Sequence, residues 1–390
     1  MRLLQLLIFG LPWVAIPGIQ SPYLEAKDVV LQAGLWLLVC WTLFRFPLAT
    51  RYPANPWMGP LAAYLVLMGL WHFQVAYLLR TPTQPQAIYN VYTWLPTIVA
   101  LLGLFSIRLL AIGYLRTSSS VHLMTQWWCL SAVLTAGYAL LQAIGLDQFY
   151  RQPEPVGSRI WEAITGSFGN PEYLAVYLAI LLPLFLLFEA KRYLVYLGLC
   201  VTVIALTRIS GAWIIACVGL LSYLLSRYWL QVTAWQRISL LVLSVGLVIG
   251  GLWSNLSLVS GDERWTIWQH AWALLVTQEA KSLPVFTGYG LGFIALKWAK
   301  TSLLWVHNEW LQMLVEIGVI GTGLMGLVVW STTQRAWRNA QGSLLDSGWF
   351  GVWMAWGAAS VILPSAHWAH TAWIGLCAWA VHEREEPGYA

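Results

Sequence analysis

The residue types best suited to chemistry fall in one run, Trp305-Val306-His307-Asn308-Glu309-Trp310-Leu311-Gln312-Met313-Leu314-Val315-Glu316-Ile317-Gly318. Histidine titrates near neutrality, so His307 can accept or donate a proton at physiological pH. His307 and Asn308 stand where a polar segment meets an apolar run. That boundary predicts a helix N-terminus, with free N–H groups and the positive end of a dipole turned toward any anion. Glu309, Gln312 and Glu316 recur at spacings of three and four, which predicts one polar stripe along that helix. An ionisable side chain inside an apolar helix is costly, so Glu316 has two readings. It serves a functional site, or it pairs with a hydroxyl or arginine and holds helices together. His307 also has a plain reading, because an imidazole at a polar boundary costs little.

Arginines are the second set. Arg208, in Leu206-Thr207-Arg208-Ile209-Ser210-Gly211-Ala212-Trp213, interrupts two apolar runs in a turn of almost no length. A guanidinium stays charged and presents a planar fork that matches pairs of phosphate oxygens, so Arg208 is a candidate diphosphate ligand. Arg264 opens an amphipathic stretch at Gly261-Asp262-Glu263-Arg264-Trp265; an ion pair with Asp262 or Glu263, or a lipid headgroup contact, competes with a phosphate role. Gly288-Tyr289-Gly290-Leu291-Gly292-Phe293 imitates a dinucleotide-binding glycine pattern without any strand–helix–strand context, which excludes that reading. Gly288 and Gly290 either present N–H groups to a phosphate or form a tight turn and nothing more. His367 and His370 lack a third partner and the outer loops hold no Asp-x-Asp pair, so neither a metal nor another cofactor is expected.

Composition sets what must carry these groups. Of 390 residues, 59% are hydrophobic and 9% charged, and mean hydropathy is +0.66. A soluble domain carries roughly 25% charged residues. The deficit predicts a surface that faces lipid. Apolar runs near the ~20 residues that cross a bilayer predict about twelve spans, at 2–17, 28–45, 57–79, 92–114, 121–144, 172–188, 192–207, 209–228, 237–254, 308–332, 347–363 and 367–381. The expected class is an all-α polytopic membrane protein, one transmembrane domain over 1–390. Met1-Arg2 and the apolar run to Val14 imitate a signal peptide, but no small-x-small cleavage site follows, so they read as a retained first span. Cys40, Cys129, Cys200, Cys217 and Cys377 all sit in apolar stretches, which argues against a disulfide framework or a zinc site. A net charge of +5 with no basic run gives no case for nucleic acid.

Placing the N-terminus inside assigns 12 of the 21 Lys and Arg residues to the cytoplasm, Arg335 and Arg384 among them, nearly all in very short turns. Both termini are then cytoplasmic. Two long loops, 145–171 and 255–306, fall outside, and loops of that length between spans are usually functional or disordered. They hold six cations and six acids, so recognition of an anion there must rest on particular arginines.

In order, Gly166-Ser167-Phe168-Gly169-Asn170-Pro171, Thr207 to Trp213, Arg264 with Trp268, Gly288-Tyr289-Gly290-Leu291-Gly292, and His307-Asn308 to Gly318-Val319-Ile320-Gly321 resemble the O-antigen ligase and polymerase family of bacterial envelope glycosyltransferases. The resemblance spans 166–321 and the hydropathy profile of the whole chain. Two departures stand out. Glu172 follows Asn170-Pro171 where Asn is usual, and Ile209-Ser210-Gly211 stands where Ser-Arg-Gly is common, with Arg208 shifted upstream.

The resemblance implies a membrane-embedded, GT-C-like, metal-independent inverting transferase in the bacterial inner membrane, with its active site facing the periplasm across loops 145–171 and 255–306. Its donor would be a glycan on undecaprenyl diphosphate. Its acceptor would be lipid A–core, the growing polysaccharide or a protein hydroxyl. On this view His307 serves the acceptor hydroxyl, and Arg264, Arg208 and Arg159 hold the departing diphosphate, with Asn308, Glu316, Gly288, Gly290 and Asn170 in support. The competing expectation is a transporter of a lipid-linked or anionic solute, although no internal repeat of the transporter type is visible.

Overall fold

In the computed structural model the described residues are 2–13, 55–78, 117–146, 164–229, 263–276, 283–289, 306–362 and 369–384, with scattered positions within 27–37, 98–115, 231–233 and 291–293. Every regular element among them is helical, and no strand occurs among these residues. Helix α1 spans Arg2–Gly10 and runs into a 3-10 turn, Leu11–Trp13. Then follow α2, Met58–Leu78; α3, Ser118–Ala143; α4, Pro171–Phe185; α5, Lys191–Thr207; and α6, Ser210–Tyr228. After these come α7, Glu263–Val276; α8, Leu283–Thr287; α9, Glu309–Gly342; α10, Leu344–Ile362; and α11, Ala369–Glu383. The apolar run expected at 237–254 lies outside the described residues.

Helix α4 is the axis of the core. Asn170 caps it by accepting the N–H of Glu172 (2.7 Å), and Pro171 occupies the first turn, where its missing N–H is harmless. Leu174 through Leu182 are fully buried on every side. A helix that is apolar all round belongs in an interior, and α3, α5, α6 and α10 enclose this one. Its far end is packed through small residues. A Cβ on Gly351 would lie 2.8 Å from the carbonyl oxygen of Gly219 and 2.8 Å from Pro183 Cβ, so α6 and α10 meet backbone to backbone with the Pro183 ring of α4 against them.

Cross-links fix which ends of the helices lie together. Trp310 Nε1 donates to Ser360 Oγ (3.2 Å) at one end of the α9–α10 pair, and Ser347 Oγ donates to Ala340 O (2.7 Å) at the other. The second end also carries Asn55 Nδ2 donating to Val328 O (3.1 Å), and Arg384 Nη2 reaching both oxygens of Asp346 (2.9 and 3.0 Å). Arg335 pairs with Glu383 there. The 166–170 segment, the 208–210 turn and the start of α9 occupy the opposite end.

Helix α9 departs from the expected 308–332 run in two ways. It continues to Gly342, because polar residues that look like a loop in sequence are satisfied by neighbours: Thr332 Oγ1 donates to Glu383 Oε1 (3.0 Å), and Trp353 Nε1 donates to Thr333 Oγ1 (2.9 Å). It also breaks at Gly318 (φ 67°, ψ −175°), so its 34 residues form two rods in place of one rod about 51 Å long. By length and composition, Ser210–Tyr228 and Glu309–Gly342 are long and apolar enough to cross a membrane. The outer surface bears large apolar side chains, among them Leu6, Leu67, Leu194, Val195 and Trp330.

Candidate functional site

Asn308 is the N-cap of α9, with extended backbone (φ −158°, ψ 109°) and its Oδ1 accepting the N–H of Leu311 (2.9 Å). One residue earlier, His307 adopts left-handed backbone (φ 56°). Val306 before it is fully buried, its N–H donated to Gln312 Oε1 (3.2 Å) and its carbonyl accepting Trp268 Nε1–H (2.9 Å). Gln312 Nε2 turns the other way and donates to Glu316 Oε1 (3.4 Å). Glu309, Gln312 and Glu316 are all buried on one face, as their spacing predicts. Gln312 is thus an internal partner of Glu316 on this face.

Helix α7 packs on this corner. Ile267, Ala271 and Leu275 bury against Val306 and Val315, while Trp265, Trp272 and Val276 face outward. Arg264 lies in the first turn of α7, one helical turn before Trp268. The bond from Trp268 to Val306 therefore brings the element that carries Arg264 against the element that carries His307. Tyr289 closes the far side, its hydroxyl donating to Leu274 O (2.9 Å) and its N–H to Val315 O (2.9 Å).

The break in α9 is built by contact with α8. A Cβ on Gly288 would fall 2.2 Å from Glu316 O, and one on Gly318 would fall 2.3 Å from Phe286 O, so neither position has room for a side chain. Both have positive φ (77° and 67°), where only glycine is unstrained. Gly288 thus takes part in a backbone-to-backbone seam. Breaking a helix frees carbonyls, and Tyr64 from α2 answers them: its hydroxyl donates to Ile317 O (2.7 Å), with Thr287 O also within reach (3.2 Å).

Arg208 is the C-cap of α5, exposed and left-handed (φ 57°) in the two-residue turn to α6. It shares the His307 end of the bundle. Asn170 is engaged in capping α4. The segment before it is held from two directions. Gln142 Oε1 accepts the N–H groups of Thr165 (3.0 Å) and Gly166 (2.6 Å), and buried Lys27 donates to Ser167 O (2.7 Å) with its ammonium 5.1 Å from the Phe168 ring centroid. Arg159 and Gly290 lie outside the described residues, as does His367.

Lys27, Gln142 and Tyr64 were not singled out in sequence, and Gln312 was read there only as one member of the polar stripe. Each is a polar side chain in or beside an apolar run, and that isolation is the signal that could have flagged them. No model of a known protein family matches this chain, and no curated protein matches it either.

Proposed function

We propose that the chain is a polytopic membrane transferase, acting at the outer face of a bacterial inner membrane. It moves a glycan from undecaprenyl diphosphate to an acceptor hydroxyl, either lipid A–core or the growing polysaccharide. The acceptor O–H attacks the anomeric carbon, its proton passes to His307, and the anomeric C–O bond breaks with its electron pair leaving on the diphosphate. Arginines are suited to the charge that accumulates there, in a site poor in water. Attack opposite the leaving group inverts the anomeric configuration.

One observation carries this reading. Among the described residues, the non-glycine positions with positive φ are Arg208 and His307. Left-handed backbone is uncommon for any residue with a Cβ, and strained positions concentrate at functional sites. Both stand at one end of the bundle, the end to which α7 brings Arg264. The apolar outer surface and the two long apolar helices support the membrane setting.

The break at Gly318 favours a second reading, since discontinuous helices line the solute sites of many transporters. Against it, two carbonyls at this break, those of Ile317 and Val315, accept from Tyr64 and Tyr289. Reconstituted protein given undecaprenyl-diphosphate glycan separates the two. Release of undecaprenyl diphosphate with a glycosylated acceptor supports the transferase; solute passage without bond cleavage supports the transporter. In a null strain, His307→Ala and Arg264→Ala are each expected to insert normally yet yield no surface polysaccharide. Normal polysaccharide from either removes that residue from the mechanism. The null strain's gel profile sorts the acceptor: long polymer left on the lipid carrier marks a ligase, and lipid A–core bearing one repeat marks a polymerase.

A further inference from the structure

We infer that Trp268 and Gln312 are positioning residues that clamp Val306 from both sides and thereby hold His307 in its left-handed conformation. The role of His307 rests on the transferase reading; the clamp rests on geometry alone. Trp268 fixes the peptide plane that enters His307 through the Val306 carbonyl (2.9 Å). Gln312 fixes the plane before it through the Val306 N–H (3.2 Å), and its own backbone N–H donates to Asn308 O (3.0 Å), beyond His307. His307 is thus bracketed on both sides by one residue of α9. Glu316 accepts from Gln312 Nε2 and so decides that the amide oxygen, not the nitrogen, faces Val306.

The conformation needs such restraint. A left-handed residue with a Cβ gains about 1–2 kcal/mol by relaxing to an ordinary basin. At His307 relaxation would swing the imidazole away from the direction α9 gives it. Both clamp bonds are buried at Val306, where water does not replace a lost partner. Because Trp268 stands one turn from Arg264, the bond that holds His307 also fixes the distance from it to the first turn of α7.

The test uses the full-length chain in Trp268→Phe, Gln312→Leu and the double variant. Trp268→Phe keeps an aromatic ring against Val306 and removes the N–H, so it carries the test if Gln312→Leu fails to fold. In glycan transfer from undecaprenyl diphosphate, each single variant is expected to lose about 10- to 100-fold in kcat with KM within about twofold, the pattern of a misplaced group and not of a lost binding contact. The double variant is expected to be no worse than the weaker single, because either loss already frees Val306. Carbethoxylation of His307 by diethyl pyrocarbonate, followed by mass spectrometry, is expected to speed up in each variant. Unchanged kcat with unchanged carbethoxylation overturns the clamp, and so does a double variant whose loss is the product of the two singles. Wild-type protein that transfers no glycan overturns the transferase reading instead, and carbethoxylation still decides the clamp.

Discussion

At the scale of single residues, Arg208 and His307 differ in how well their type suits the backbone they adopt. Histidine is several-fold enriched among left-handed residues, whereas arginine has no such excuse. Glycine at position 208 would relax the backbone with no steric cost. Arg208→Gly is therefore expected to raise the thermal midpoint of the purified protein, by about 1 kcal/mol in stability, if only the backbone matters. If the guanidinium holds diphosphate, the same variant loses transfer activity while becoming more stable. A more stable protein with undiminished transfer would take Arg208 out of the site.

Elements position these residues through a seam that is unusually intolerant of change. Helix α8 and the two halves of α9 meet at Gly288 and Gly318, each with backbone atoms of the other segment where a Cβ would stand. Main-chain atoms cannot swing aside as a flexible side chain can. Gly318→Ala combines that overlap with a left-handed φ of 67° and is expected to cost more than about 3 kcal/mol, seen as a lower melting midpoint and faster proteolysis of 283–318. Tyr64→Phe keeps the ring and removes one donor, leaving the Ile317 carbonyl without it; about 1–3 kcal/mol is expected. If Tyr64→Phe is neutral while Gly318→Ala is not, the seam is held by shape and not by hydrogen bonding.

For the whole molecule, the two ends are built differently. The end opposite His307 holds Asp346 and Arg384, both almost wholly buried, beside the Arg335–Glu383 pair. Burying an ion pair repays little net stability, but deleting one partner strands a charge and costs about 3–5 kcal/mol. Asp346→Ala is expected to lower the melting midpoint accordingly, and Asp346→Leu combined with Arg384→Leu to recover much of that loss. Transfer per folded molecule is expected to persist in the double variant, since the paired residues lie at the far end of α10 and α11 from His307. Loss of transfer at full folding would mean the two ends are coupled.

What the sequence determined on its own follows from local pattern. Runs of apolar residues dictate helices because a helix satisfies its own backbone wherever water is scarce, and helices α1 to α6 and α9 to α11 lie along the expected runs. Asn308 was legible as a helix start for the same reason, a cap being a matter of adjacent residues. Only the tertiary structure decided that α9 breaks at Gly318, that Glu316 answers to Gln312, and that Trp268 reaches the residue before His307. The bonds that build the site join positions far apart in the chain: Tyr64 and Ile317 are 253 residues apart, and Lys27 and Ser167 are 140. A polar side chain in an apolar run announces in sequence that it needs a partner. Which carbonyl supplies that partner depends on how the helices pack, because the choice is made by distances across the bundle and not by spacing along the chain.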